Sequence, residues 1–330
     1  MDFRPIERAS GAFQQSVTAE EIQAICRRVF GIDARGLSAV ELGGGMYNNT
    51  YAVSLAGREP PVVLRVAPES ERQFRSERWL MRNEYASQPW LAVIAPLMPR
   101  VIAADWSHEV IGRDYMVQSL LDGVPVPDRL GDYPRTLWPT LFRQMGTIAK
   151  AVHAVRGPHF GPVSGPAHTT WSAAVVTSLE DIAADVDGVG LDAADLRKVA
   201  AAADRDRDVL DEITEPRLNA GDFWTVNVLL DATAPEPTIT GVFDFDRTWW
   251  GDPESDWTIF MAAKKPGTER DAFWETYGQR PSSAGAARRS LFYLARHIGA
   301  IRLERYRLGK ADMLPETYEQ MRDVLDELVA

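Results

Sequence analysis

Two carboxylates and an amide stand at short spacing in the last third of the chain, and their types suit metal-dependent chemistry. Asp222 follows a glycine, Asn227 comes five residues later, and Asp244 stands just after an apolar run. Carboxylates that converge repel one another, so they favour a cation between them. Donor sets made only of oxygen suit Mg²⁺ that also holds substrate phosphates. If the chain brings these residues together, they predict phosphoryl transfer.

A β-hairpin would bring these side chains together. Apolar residues at 228–230 predict one short strand, and residues 239–243 predict a second strand after a turn rich in Pro, Ala and Thr. Asp222 and Asn227 precede the first strand and Asp244 follows the second, so all three lie at one end of the hairpin. The alternative is that they are ordinary loop residues, because Asp and Asn are favoured in turns.

The segment resembles the catalytic and metal-binding segments of the aminoglycoside phosphotransferases and related small-molecule kinases, which have a protein kinase-like fold. The family pattern is H-G-D-x-x-x-x-N, then a hairpin with an I-D-F or D-x-D segment, then G-D-P-x-x-D. The matching residues, in order, are Gly221, Asp222, Asn227, Asp244, Phe245, Asp246, Gly251, Asp252, Pro253 and Asp256. One position departs from the pattern, because Ala220 stands where the family has histidine.

The resemblance implies a role for each of the three polar residues. Asp222 would orient the acceptor hydroxyl and take its proton. Asn227 and Asp244 would hold Mg²⁺ against the phosphates of ATP or GTP, which would lie between two lobes.

Three glycines near the N-terminus suit an anionic ligand. Residues 37–55 predict a strand, a turn and a strand, in which Gly43, Gly44 and Gly45 allow the backbone to approach a phosphate and Asn48 supplies a polar group. A flexible hairpin is the alternative, since neither a Walker A lysine nor a complete G-x-G-x-x-G is present. The position of the turn before the next strand favours a loop that covers the nucleotide.

Arg65 lies in that next strand, where the family places the cation that pairs with the nucleotide phosphates. No lysine precedes Lys150, so an arginine must supply the charge, and its guanidinium can bind phosphate bidentately. In the family, a glutamate on the following helix pairs with this cation. Residues 70–90 predict that helix, with Glu84 as the first choice for the glutamate and Glu77 as the alternative.

The resemblance also implies the fold class, which is α+β: a bilobal protein kinase-like fold with a small antiparallel sheet in the N-terminal lobe and a mainly helical C-terminal lobe. The expected divisions are an N-terminal lobe over 1–117, a hinge over 118–123 and a helical lobe over 124–330. Gln118 and Leu120 lie in the hinge, where backbone groups would bind the adenine. Apolar periodicity predicts further helices over 16–30, 130–155, 171–187, 192–213, 268–277, 286–307 and 315–329.

Composition limits the classes of function. The 330 residues are 45% hydrophobic and 25% charged, with a formal net charge of −11, as in soluble globular proteins. This acidity argues against nucleic-acid binding through phosphate contacts and would suit a cationic substrate. The sequence has no apolar run long enough for a membrane span and no signal-peptide core at its N-terminus. The single cysteine, Cys26, is consistent with a reducing cytoplasm, which is the expected location.

The expected activity is ATP- or GTP-dependent transfer of the γ-phosphoryl group to a hydroxyl of a small molecule. The first choice of acceptor is an aminoglycoside-like or other antibiotic. One alternative is a kinase of a sugar or amino-acid metabolite, as in the fructosamine and homoserine kinases. Another is a non-catalytic pseudokinase, for which Ala220 and Arg65 are the reasons. A protein kinase is disfavoured because Asp246 stands where that class has glycine. The protein is expected to be a monomer or a homodimer. His153 is expected to be a structural residue.

Overall fold

The computed structural model describes residues 1–9 and 11–329. The chain forms two compact units, of which the first comprises Met1–Gln73 and Met98–Asp122 and the second comprises Phe74–Leu97 and Gly123–Ala330. The second junction, after Asp122, falls within the segment predicted as a hinge. Residues 74–97 group with the second unit, although the lobe predicted over 1–117 included them.

The first unit is a six-stranded sheet with one helix. Its elements are β1 (Asp2–Arg4), α1 (Ala19–Phe30), β2 (Gly36–Glu41), β3 (Asn49–Leu55), β4 (Arg58–Val66), β5 (Val101–Asp105) and β6 (Tyr115–Ser119). The strand order is β1-β2-β3-β4-β6-β5. Only the β1 pair is parallel, and the other neighbouring strands are antiparallel. β1 was not predicted from the sequence.

Helix α1 begins at a capping box. The Thr18 hydroxyl accepts from the N–H of Glu21, and the Glu21 carboxylate accepts from the N–H of Thr18, which satisfies two donors at the helix start. The helix therefore begins at Ala19, not at residue 16. Its apolar face packs with alternating side chains of the sheet into one core, which contains Ile22, Ile25, Tyr51, Val53 and Leu55.

The second unit is mainly helical. Its helices are α2 (Leu80–Ser87), α3 (Val126–Arg129), α4 (Trp138–His153), α5 (Trp171–Gly188), α6 (Ala194–Arg205), α7 (Arg207–Leu210), α8 (Trp257–Ala263), α9 (Ala272–Tyr277), α10 (Ala284–Arg307) and α11 (Leu314–Val329). A core of apolar side chains from α5, α6, α10 and α11 holds the helices together. None of the described helices is both long and apolar enough to cross a membrane.

Two small sheets of the second unit position the predicted catalytic segment. Their strands are β7 (Val124–Pro125), β8 (Gly161–Pro162), β9 (Arg217–Asn219), β10 (Val228–Leu230), β11 (Ile239–Val242) and β12 (Trp249–Gly251). β10 and β11 are antiparallel, which confirms the predicted hairpin. β12 pairs with both β8 and β9, a sheet that the sequence analysis missed. Because β9 leads into Asp222 and β12 follows Asp244, this pairing draws the two segments together.

The helix predicted over residues 70–90 is wrong for its first half. Ser70–Arg72 and Arg75–Glu77 are single 3₁₀ turns, and Trp79 has a left-handed φ of 61°. Only α2 is regular. The tertiary reason lies in Glu77, whose carboxylate binds two guanidinium groups from distant segments, as described below.

The helix predicted over 130–155 also starts late, at Trp138. Tyr133 is extended with a ψ of 144°, because the residue before a proline is pushed out of the helical region. Pro139 is tolerated because it lies in the first turn of α4.

Candidate active site

The loop between β9 and β10 holds Asp222 and Asn227 in direct contact. The Asn227 Nδ2 donates to the main-chain oxygen of Asp222 at 2.8 Å and lies 3.3 Å from its carboxylate Oδ2. The contacts of this nitrogen with Asp222 therefore fix the orientation of the Asn227 side-chain amide. Its oxygen makes no hydrogen bond within the described residues, so it is available to a cation.

Asp244 lies directly beyond the end of β11. Its backbone φ is 67°, a left-handed conformation that Asp tolerates better than most residues. The N–H of Phe243 donates to the main-chain oxygen of Asn227 at 3.1 Å, which fixes the segment beside the loop. Burial and the charge of Asp244 raise the pKa of Asp222 to about 8. The structure thus brings Asp222, Asn227 and Asp244 together, as the spacing predicted.

This donor set fits Mg²⁺. The amide oxygen of Asn227 and the carboxylate of Asp244 are hard ligands, and a cation beside them would relieve the repulsion between the two carboxylates. The described residues contain no group of three or more His, Cys, Asp or Glu placed to hold a metal. A Mg²⁺ ion at this loop would therefore take its remaining ligands from phosphates and water, which is its usual behaviour in phosphotransfer sites.

The carboxylate of Asp256 holds the backbone of the catalytic loop, because Ala220 has no polar side chain that could do so. Its Oδ2 accepts from the N–H of Ala220 at 2.5 Å, and its Oδ1 accepts from the N–H of Gly221 at 3.2 Å. His153 Nε2 donates to the same carboxylate at 2.9 Å, and Tyr277 contacts the other ring nitrogen at 2.8 Å. Although burial opposes ionisation, these hydrogen bonds hold the pKa of Asp256 below its ordinary value. His153 is structural, as predicted, and the methyl group of Ala220 is fully buried.

Gly221 lets two chain segments approach more closely than any other residue would permit. Its φ is 83°, and a Cβ at this position would lie 2.1 Å from the main-chain oxygen of Arg247. Real Cβ atoms do not come so close to a backbone atom. The glycine before Asp222 therefore serves the contact between the catalytic loop and the segment that follows Asp244.

Sequence reasoning missed an ion cluster at this site. Oε1 of Glu77 accepts from Arg247 at 2.7 Å, and Oε2 accepts from Arg307. Although burial disfavours the charge, the two guanidinium groups lower the pKa of Glu77. The positive charge of Arg247 in turn favours the ionised form of Asp222. No local pattern marks these residues, because they come from three separate segments.

Glu84 lies on α2 of the second unit and is buried. Since both carboxylate oxygens of Glu77 are bound by guanidinium groups of its own unit, Glu84 remains the first choice for the glutamate predicted to pair with Arg65. That pairing stays a prediction.

In the first unit, the glycine turn between β2 and β3 is exposed, and Gly44 has a φ of 91°. The Gln14 amide nitrogen donates to the main-chain oxygens of Gly45 and Asn48, at 3.2 and 2.8 Å. The side chain of Asn48 is buried, and its oxygen has no hydrogen-bond partner among the described residues. The N-terminal segment thus supports the turn, which the sequence did not indicate.

The remaining predicted nucleotide-binding residues of the first unit lie on or near its central strands. Arg65 is buried on β4, where it is paired in register with Thr50 and Met116. Gln118 is buried on β6, and Leu120 follows that strand with a more exposed side chain. Their roles stay predictions.

Known proteins similar to this chain are phosphotransferases. The profile of the APH phosphotransferase enzyme family matches residues 38–292. Among solved structures, a thermostable mutant of aminoglycoside phosphotransferase APH(4)-Ia is similar in its apo form, with 19% identity, a TM-score of 0.64, and 92% of this chain and 98% of that chain covered. The GDP complex of wild-type aminoglycoside 2'-phosphotransferase-IIIa has 17% identity and a TM-score of 0.60, with 93% and 98% covered.

No curated protein sequence gives a significant match. The family profile spans well over half of the chain, and the similar structures share the α+β architecture along nearly their whole length. The chain therefore belongs to the phosphotransferase enzyme family and has the kinase-like α+β fold that its sequence predicted.

Proposed function

We propose that the protein transfers the γ-phosphoryl group of ATP or GTP to a hydroxyl of a small molecule. The observation that carries this proposal is the convergence of Asp222, Asn227 and Asp244 at one end of the β10–β11 hairpin. Structures similar to this chain contain ADP, AMP-PNP or GDP, which supports a nucleotide as the donor.

In the proposed reaction, Asp222 accepts a hydrogen bond from the acceptor hydroxyl and takes its proton as the new O–P bond forms and the bond from the γ-phosphorus to the departing ADP or GDP breaks. Arg247 favours the ionised form of this carboxylate. Asn227 and Asp244 would hold Mg²⁺, which neutralises charge on the phosphates when it is bound. Asp256 fixes the loop backbone, so the carboxylate is positioned before the acceptor arrives.

The first unit would bind the nucleotide. Backbone N–H groups at Gly43, Gly44 and Gly45, together with Asn48, would contact the phosphates. Arg65 would add a bidentate cation, with Glu84 as the residue that orients it. Main-chain groups at Gln118 and Leu120 would bind the adenine or guanine edge.

The acceptor we propose is an aminoglycoside-like or other antibiotic, which would make the protein an antibiotic-resistance enzyme. Similar structures contain hygromycin B or kanamycin. A sugar or amino-acid metabolite is the second candidate, favoured by the unpaired cation described in the next subsection. We further propose a cytoplasmic location, which the single, buried Cys26 supports, and a monomer or homodimer.

The test is Mg²⁺-dependent ADP or GDP release, measured with a panel of hydroxylated antibiotics and metabolites. We expect Asp222→Ala to lower turnover by about 10²- to 10⁴-fold, because it removes the general base, while nucleotide affinity is kept. Asp244→Ala should lose the Mg²⁺-dependent part of nucleotide binding as well as turnover.

Asp231→Ala is the matched control, because Asp231 lies in the turn of the same hairpin and its carboxylate accepts from the N–H and the hydroxyl of Thr233 in that turn. Unchanged turnover in Asp222→Ala would contradict the assignment of the base. Nucleotide binding without turnover on any acceptor would instead indicate a pseudokinase.

A further inference from the structure

Helix α10 carries six arginines, and five of them are bound by acidic side chains. These pairs are Arg288 with Asp206, Arg289 with Glu212, Arg302 with Asp195, Arg305 with Glu316 and Arg307 with Glu77. The sixth, Arg296, forms no ion pair within residues 1–9 and 11–329. Its side chain is only half-buried, so Arg296 is the one arginine of this helix whose guanidinium is left to solvent or to a ligand.

Two neighbours hold the side chain of Arg296 in place. Its guanidinium carbon lies 3.9 Å from the ring centroid of Trp249, a cation–π contact. Its Nε donates to the Ser178 hydroxyl at 2.8 Å. The two terminal nitrogens make no hydrogen bond to any described residue. The side chain is therefore preorganised, with the fork that binds a carboxylate bidentately still available.

The electrostatic surroundings of Arg296 are also uncompensated. Burial and the like charge of Arg247 both lower the pKa of Arg296. A guanidinium nevertheless stays charged near neutral pH, and no acidic side chain of the described residues lies within ion-pair distance of it. Asp256 is the one carboxylate that acts in the opposite direction, and it is already bound to His153 and the catalytic loop.

Arg296 lies on the same helix face as a residue close to the proposed base. Arg296, Ala300 and Glu304 are spaced by four residues, so they lie on one face of α10. Glu304 is near enough to Asp222 to raise its pKa. Eight residues of α-helix correspond to about 12 Å along the axis. A small molecule with its hydroxyl at Asp222 can therefore reach Arg296.

We propose that the acceptor carries a carboxylate or a similar oxyanion, which Arg296 binds about 12 Å from the phosphorylated hydroxyl. This inference rests on the proposed phosphotransfer and specifies its acceptor as a hydroxylated acid about the size of a disaccharide. A polycationic aminoglycoside would place ammonium groups against an unpaired guanidinium. The positive charge of Arg296 thus favours an acidic antibiotic or metabolite over such a polycation.

The test measures binding to the full chain in the presence of AMP-PNP, using calorimetry. The probes are lactobionate and maltobionate, each compared with its neutral counterpart, lactitol or maltitol, which replaces the carboxylate with an alcohol. We expect each acid to bind about tenfold more tightly than its counterpart, as for a charge-assisted pair. Arg296→Gln should abolish this difference, and Arg296→Lys should keep part of it.

Arg305→Gln is the control on the same helix, because Arg305 pairs with Glu316 and should leave the preference intact. Equal AMP-PNP affinity in all variants shows that they are folded. If Arg296→Gln does not fold, Arg296→Lys serves as the test variant. No preference for the acids, or a preference that survives both Arg296 substitutions, overturns the inference. With Mg²⁺-ATP, Arg296→Gln should raise the KM for the acids about tenfold with kcat retained. Acid binding that depends on Arg296, without phosphate transfer to the acids or to any acceptor of the panel, would uphold the anion site and overturn the phosphotransferase proposal.

Discussion

At the scale of single residues, Glu77 is the buried charge on which the surroundings of the catalytic loop depend. Its two oxygens bind Arg247, which adjoins the loop, and Arg307, near the end of α10. The side chains of Glu77 and Arg307 are almost fully removed from solvent, whereas that of Arg247 is about one-third exposed. A buried ion cluster adds little net stability, but removing one partner leaves the others uncompensated.

We therefore expect Glu77→Gln to lower the free energy of unfolding by about 3 to 5 kcal/mol. Turnover should also fall, because Arg247 loses the partner that fixes it beside Asp222. Urea denaturation and steady-state kinetics measure the two effects. Glu180→Gln, at an exposed position of α5, is the control and should change stability by less than about 0.5 kcal/mol. Equal stability of the two variants would show that the cluster is not buried as described.

At the scale of elements, the catalytic loop is fixed by two neighbouring segments. β12 pairs with β9 just before the loop, and Asp256, the N-cap of α8, accepts hydrogen bonds from the loop backbone. The close approach at Gly221 completes this arrangement, because it seats the loop on the main chain of Arg247.

Gly221→Ala should abolish most turnover, because the new methyl group would overlap a main-chain oxygen and displace Asp222. Gly190→Ala provides a matched control, since Gly190 also has a positive φ, 77°, but nothing lies within 4 Å of its Cβ position. This control should lose only about 1 kcal/mol of stability and keep its activity. Steady-state kinetics and thermal melting separate the two cases. Similar kcat values in both variants would contradict the close approach.

At the scale of the whole molecule, the pH dependence of stability reflects a histidine that is buried in its neutral form. His297 packs edge-on against Trp257, with ring centroids 5.1 Å apart, and its Nε2 is buried without a hydrogen-bond partner among the described residues. Burial and the charge of Arg296 lower the pKa of His297 to about 3. In the unfolded chain, a histidine titrates near pH 6.5.

Between these two values the unfolded state binds the proton and the folded state does not. Stability from His297 is thus complete above about pH 6.5 and is lost as the pH falls toward 3, by up to about 1.4 kcal/mol per pH unit. His297→Phe should show a shallower decline in the free energy of unfolding between pH 6.5 and 4.5 than the parent chain. His159→Gln should decline as the parent does. Parallel declines in the parent and His297→Phe would refute the assignment.

The sequence determined the features that local pattern encodes. Strand 228–230, the hairpin and most helices of the second unit follow from apolar period and turn residues. The order of Asp222, Asn227 and Asp244 around the hairpin likewise predicted that they meet at one of its ends. The family resemblance then indicated the fold, which the comparisons confirmed.

Only the tertiary structure decided which distant residues support and surround these groups. Asp256 and Ala220 are 36 positions apart, and Glu77 and Arg247 are 170 positions apart. Apolar periodicity tells which face of an element is buried but not which element covers it, so neither pair could be read from the sequence. The same limit hid the broken helix at Glu77 and the unpaired charge of Arg296, since a charge counts as paired or unpaired only after the chain has folded around it.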